Sequence, residues 1–218
     1  MRTQTRAINA TQKKARRDVI LAVAWELFLT GSFASATVAS VAQAAGLAKG
    51  TIYLYFETKD DLFLAVMEEQ LCAWMDDLND RLAALDGAAG PTAISSLMLE
   101  TLTARPGLLR LLANLHTTIA GHATPDSAVP LQQILIARMQ VTAEHFARLL
   151  PLADATQGLH AVLRCHGLII GMQQIGMPPG FIPPHLTLSA VATVRANLIG
   201  ELCAAIEALL QGMTSLEH

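Results

Sequence analysis

Apolar residues return at three- and four-residue intervals along most of the chain. Val19, Ile20, Val23, Ala24, Leu27 and Phe28 share one face of a helix. The same period predicts helices over about 13–30, 37–45, 48–55, 59–85, 92–104, 107–121, 130–150, 154–177 and 187–211. Breakers separate them: Gly31, Gly46, the Asp86 to Pro91 segment, Pro106-Gly107, the Gly121 to Pro130 segment, Pro151, and Pro178 to Pro184. No stretch alternates in the manner of a strand, and there are no repeats or low-complexity tracts. The pattern predicts an all-α fold with a small helical head over 13–58 and a larger helical body over 59–215.

With 218 residues, of which 52% are hydrophobic and 15% charged, a membrane protein has to be considered. A spanning helix needs about 18 or more consecutive apolar residues. The two most apolar stretches, Leu159 to Met172 and Val191 to Leu210, are interrupted by Arg164 and by Arg195, Glu201 and Glu207. No membrane partner is expected. Cys72, Cys165 and Cys203 are an odd number without a Cys-x-x-Cys pair, which indicates neither a disulfide framework nor a zinc cluster. Arg16-Arg17, the run Val19 to Leu29 and Ala34-Ser35-Ala36 imitate a secretion signal, but Glu26 interrupts the run and its apolar residues keep helical spacing. A cytoplasmic location is expected. Leu216-Glu217-His218 read as the remnant of a histidine tag.

The net charge of −3 hides a division. Residues 1–59 hold eight basic side chains against three acidic, +5; the remainder holds seven against fifteen, −8. A basic head on an acidic body points to a polyanion at one end only. Residues 1–12 are expected to be a basic flexible tail whose Arg2 and Arg6 could reach a minor groove, while Lys13, Lys14, Arg16 and Arg17 face phosphates. A merely solvated tail is the competing reading.

The segment Thr37 to Lys59, TVASVAQAAGLAKGTIYLYFETK, carries the chemistry. Thr37 is an N-cap for a short helix with Val41 and Ala42 inward. Small Ala42 permits two helices to cross closely, Gly46 supplies a turn needing positive φ, and Leu47, Ile52 and Phe56 form the apolar wedge. The pattern reads as a helix-turn-helix whose second helix enters the major groove. An ordinary αα-corner has the same spacing, but Lys49, Thr51, Tyr53 and Tyr55 are left on the free face, suited to base edges and phosphates.

Here the chain resembles the TetR (tetracycline repressor) family of transcriptional regulators, through the first helix ending in LF, the phrase ATVASVAQAAGLAKGTIYLYF, and the Lys59-Asp60-Asp61-Leu62 start of the next helix. The resemblance implies that Thr37 contacts a phosphate and that Lys49, Thr51 and Tyr53 lie in the groove. It further implies that Tyr55 reaches a phosphate or thymine methyl and that Lys59 clamps a phosphate. Two positions depart from the family. Ala48 stands where serine is frequent, so a capping hydroxyl is missing, and Ala39 cannot read hydrogen bonds. Discrimination then rests on fewer side chains and on DNA shape.

Beyond about residue 87 no motif is recognisable, and the resemblance implies only a small-molecule effector and a homodimer. Ala192, Ala196, Gly200, Ala204 and Ala208 recur every four residues, and Gly167 and Gly171 repeat that spacing, which lets helix backbones approach. A twofold four-helix interface is expected, with packing inside one subunit as the competing reading. Met67, Leu71, Trp74, Leu78, Met98, Leu102, Leu115, His116, Phe146 and Gln173 are candidates to line a hydrophobic pocket, or else simply core. No histidine pair has metal-ligand spacing, and Cys165-His166 diverge on a helix, so no metal, cofactor or nucleophilic pair is expected. No catalytic motif is present, and an enzyme is not expected. The reading is a ligand-responsive repressor that binds a palindromic double-stranded DNA operator as a dimer. The competing reading is a helical ligand-binding or scaffold protein that retains the head.

Overall fold

The computed structural model describes residues 2–31, 33–87, 89–105, 107–114, 125–176 and 196–215. In chain order the helices are α1 (Arg2–Thr30), α2 (Val38–Ala44), α3 (Lys49–Tyr53), α4 (Lys59–Ala83), α5 (Gly90–Thr103), α6 (Leu108–Asn114), α7 (Pro125–Leu149), α8 (Ala155–Gly176) and α9 (Leu198–Ser215). The described residues contain no strand. Their helices divide into two compact units, the first comprising Met1–Glu69 and Asn114–Leu131, the second Gln70–Ala113 and Gln132–His218. The first turns of α4 thus belong with the head, where the sequence boundary at Lys59 would have separated them.

Three boundaries differ from the periodic pattern. α1 starts at Arg2, so the segment expected as a flexible tail is helical. Residues 3–18 contain neither Gly nor Pro and are rich in Ala, Gln, Lys and Arg, so propensity carries the helix back beyond its apolar stripe. α7 begins at Pro125 and contains Pro130, which had been taken as a breaker. Pro130 costs the helix one bond near its start and is exposed, where water can take the carbonyl left over. α9 runs to Ser215, four residues past the expected end, because Met213 is still buried.

In the first unit α1 packs on α2 and α2 on α3. Ile20, Ala24, Phe28, Val41, Ala42, Ile52, Phe56, Leu62, Phe63 and Met67 form its core. Leu47, expected in the wedge, is half-buried. Phe63 meets Phe28 and Phe33 at 6.2 and 5.0 Å between ring centroids, the second edge-on. In the second unit α9 packs on α5 and α8 through Leu202, Ile206, Leu210 and Met213. α8 crosses α7 closely at Gly158, where a Cβ would lie 2.1 Å from the Ala143 carbonyl oxygen.

Helix starts follow local chemistry. Thr37 caps α2 reciprocally with Ser40: the Ser40 amide donates to Thr37 Oγ1 at 3.1 Å and the Thr37 amide to Ser40 Oγ at 2.9 Å. Thr58 and Asp61 do the same for α4, with bonds of 3.1 Å from the Thr58 amide and 3.0 Å from the Asp61 amide. Ala48 gives α3 no side-chain cap, as its missing hydroxyl implied.

Gly46 has φ +66°, and a Cβ there would meet nothing within 4 Å. Its requirement is therefore purely one of backbone conformation. Gly46→Ala is expected to lower stability by about 1 to 2 kcal/mol, and Gly46→Asn by less, since asparagine tolerates this region. Urea unfolding checks it, and an alanine variant as stable as the parent refutes it.

Candidate nucleic-acid interface and apolar cavity

α3 faces the core through Ile52 and, one turn on, Phe56, which are 0% and 5% exposed. Lys49 and Tyr53 stand exposed on the outer side, with the Lys49 ammonium 5.8 Å from the centre of the Tyr53 ring. Thr51 and Tyr55 are half-buried and Thr37 is exposed at the start of α2. From α1, Lys13 lies 5.9 Å from the Tyr55 ring centre and Arg17 lies 5.4 Å from that of Phe56. Lys13 and Arg17 are thus brought beside the C-terminal end of α3, where the helix dipole favours cations. Arg16 is exposed, whereas Arg17 is half-buried and lines a cleft with Glu57, Asp61, Glu68 and Asp126.

Lys59 has partners within the head. Its ammonium donates to the Phe33 carbonyl and lies 4.0 Å from the Phe33 ring centre and 5.8 Å from that of Phe63. Burial pushes its pKa below the ordinary lysine value, partly offset by Asp60. One signal for this was the phenylalanine that closes the α1–α2 connection, which sequence spacing does not place near Lys59. The sequence reading also omitted Leu54, which is 76% exposed, more than any other large apolar side chain among the described residues.

The second unit holds an apolar cavity of ≈ 30 Å³, with Trp74 and Met75 of α4, Met98 of α5, Met139 and Phe146 of α7, and His166 of α8 in its lining. Trp74, Met98 and Phe146 were expected there. Gln173 is buried but does not line it, and His116 lies outside the described residues. Met75, Met139 and His166 were missed, because which helix faces converge depends on helix crossing and not on spacing. No Lys, Arg, Asp or Glu lines the cavity. Around it α4 is held by polar bonds: Trp74 Nε1 donates to Thr101 Oγ1 at 3.1 Å, Thr142 Oγ1 to Asn79 Oδ1 at 2.8 Å, and Arg138 to both Asp76 oxygens at 2.8 and 3.1 Å. Burial pushes the Cys165 thiol up to about 12, so it is not a thiolate at neutral pH. Among the described residues no three His, Cys, Asp or Glu side chains could hold a metal, and no helix is long and apolar enough to cross a membrane.

Of the expected interface residues, Gly167, Gly171, Ala196, Gly200 and Ala204 are exposed on α8, on α9 or just before it, and Ala192 lies outside the described residues. A Cβ at Gly167 or Gly171 would meet nothing within 4 Å, in contrast to Gly158.

A capped helix, a glycine turn and a second helix with cations and aromatic rings outward define a helix-turn-helix DNA-binding protein. Residues 20–66 match the family model described as bacterial regulatory proteins, tetR family, and residues 68–215 match the tetracyclin repressor-like C-terminal domain. The chain belongs to the TetR family of bacterial regulatory proteins. It is 29% identical over 69 residues to the fatty acid metabolism regulator protein of Bacillus subtilis, 32% of this chain and 36% of that one. It is 32% identical over 60 residues to the HTH-type transcriptional regulator QacR of Staphylococcus aureus, 28% of this chain and 32% of that one. These matches span about a third of each relative's length. The fold is similar to that of the fatty acid degradation regulator FadR from Bacillus halodurans, with a TM-score of 0.55 and 16% identity over 91% of this chain and 94% of the other.

Lys59→Ala is expected to lower stability by about 1 to 2 kcal/mol through loss of the carbonyl bond and ring contacts. Thermal unfolding measures this. A variant as stable as the parent, but with a flatter salt dependence of DNA binding, would assign Lys59 to a phosphate instead.

Proposed function

We propose that the protein is a dimeric repressor that binds a palindromic operator through paired heads and is released by a small apolar effector. The outward face of α3, with Lys49 and Tyr53 exposed opposite a buried Ile52, is the observation that carries the reading. Lys49 reads a base edge, with guanine O6 and N7 as its natural acceptors. Thr51 and Tyr53 lie beside it in the groove, Tyr55 reaches a phosphate or a thymine methyl, and Thr37, Arg16 and Arg17 hold the backbone. Thr37 accepts from the Ser40 amide and donates to Ser40 Oγ at 3.3 Å, a long bond that its hydroxyl proton can exchange for a phosphate oxygen. Lys59 can add a phosphate bond with the donors that its carbonyl contact leaves over.

The effector belongs in the cavity of the second unit. At ≈ 30 Å³ the space is small, so a ligand of any size displaces side chains, and the flexible methionines Met75, Met98 and Met139 are suited to move. The lining holds no Lys, Arg, Asp or Glu and only His166 as a titratable group, which favours a ligand whose buried part is mostly apolar. α4 supplies both Trp74 to the cavity and Lys59 to the head. A ligand that prefers one position of α4 shifts the population of head arrangements by its differential affinity and no more. The exposed glycine and alanine rows of α8 and α9 support a twofold four-helix interface, placing two heads at half-sites about 34 Å apart.

Lys49→Ala and Tyr53→Ala are each expected to cost about 1 to 3 kcal/mol at a duplex selected by the full-length protein, measured by gel-shift titration. Unchanged binding removes the residue from the reading surface. An effector that binds while no palindrome is protected in a footprint indicates a ligand-binding protein without gene regulation. Gly171→Arg and Ala204→Arg are expected to yield helical monomers by light scattering and circular dichroism. A wild-type monomer at micromolar concentration, or arginine variants that stay dimeric, would refute the interface.

A further inference from the structure

We propose that Leu54 reads sequence, and that the group it reads is the 5-methyl of thymine in the major groove. The inference rests on the reading that α3 docks there. Leu54 is the C-cap of α3 with φ −73° and ψ −12°, and its amide donates to the Thr51 carbonyl at 3.2 Å. The Phe56 amide still bonds to the Ile52 carbonyl at 3.1 Å, so helical geometry holds through this turn. At about 100° per residue, Leu54 lies roughly 200° from each of the two buried residues Ile52 and Phe56. It therefore projects away from the core, which agrees with its 76% exposure.

Gly50, four residues earlier on the same row, has no side chain, and a Cβ there would meet nothing within 4 Å. Lys49 and Tyr53 flank this row on one side and Thr51 on the other. A surface that meets the outward face of α3 as far as its C-terminal end meets Leu54.

A single exposed leucine on a protein surface is ordinary. On a face that docks against DNA it is not, because docking strips water from whatever it covers. Phosphates require donors, which leucine lacks. Most base edges in the major groove present donors or acceptors, and an aliphatic side chain laid over them leaves those groups unpaired. Thymine is the exception, since its C5-methyl is apolar and projects into the groove. With Ala39 and Ala48 unable to read hydrogen bonds, an apolar contact at the C-terminal end of the face supplies discrimination that the polar side chains do not.

The test uses the full-length protein and a duplex selected from a random-sequence library. Each thymine in the half-site is replaced in turn, symmetrically in both halves, by deoxyuridine, which pairs identically and lacks only the methyl. The wild type is expected to lose about threefold to fourfold in affinity per methyl, on the order of tenfold for a symmetric pair, at one position. Leu54→Ala is expected to bind the thymine and deoxyuridine duplexes alike. Its unfolding midpoint should match the parent, because the side chain is exposed. Equal wild-type binding at every substituted position overturns the proposal, as does a Leu54→Ala variant that keeps the full methyl dependence. If no sequence is selected at all, the docking of α3 fails and this inference fails with it. Selection without methyl dependence removes the role of Leu54 alone.

Discussion

A helix of five residues has no stability of its own, because nucleating one turn costs more conformational entropy than its few hydrogen bonds return. α3 therefore exists only because Ile52 and Phe56 are driven into the head core. It has no side-chain cap at Ala48, so nothing local compensates. The rest of the head is arranged around that dependence. Gly46 turns the chain in the left-handed region, small Ala42 lets α2 approach, and Thr37 with Ser40 satisfies the start of α2. Once Ile52 and Phe56 are fixed, the outward direction of Lys49, Tyr53 and Leu54 follows from helix geometry alone.

The head core also explains where the positive charge goes. Phe28, Phe33 and Phe63 cluster, and the Lys59 ammonium rests on two of those rings and on the Phe33 carbonyl. Lys13 and Arg17 lie over Tyr55 and Phe56. Cations that a count along the chain treats alike are thus of two kinds. Arg17 and Lys59 are half-buried against phenylalanine rings, while Lys13, Lys14, Arg16 and Lys49 are exposed. The distinction bears on salt dependence, since only cations that approach phosphates release counterions from DNA.

In the second unit the relevant property is cavity size. The cavity between α4, α5, α7 and α8 is small and apolar, while the polar bonds of Asp76, Asn79 and Trp74 secure α4 around it. A packed interior rearranges between discrete states more readily than it deforms continuously. An effector that opens this space has to move side chains belonging to α4, the helix whose first turns lie in the head unit.

The sequence by itself determined the helical class, the capped turn, the positive φ at Gly46 and the inward set Val41, Ala42, Ile52 and Phe56. All of these follow from local chemistry or from a period, and both are written along the chain. Helix lengths were legible only where an apolar stripe ran to the end, which is why the start of α1 and the passage of α7 through Pro130 were not. Tertiary structure alone decided that Lys59 turns toward Phe33, that Arg17 lies among carboxylates, that Met75, Met139 and His166 share a cavity with Trp74, and that Gly167 and Gly171 face outward while Gly158 packs against Ala143. Each of these depends on which faces of separate helices converge, and that is set by crossing geometry between residues distant in sequence.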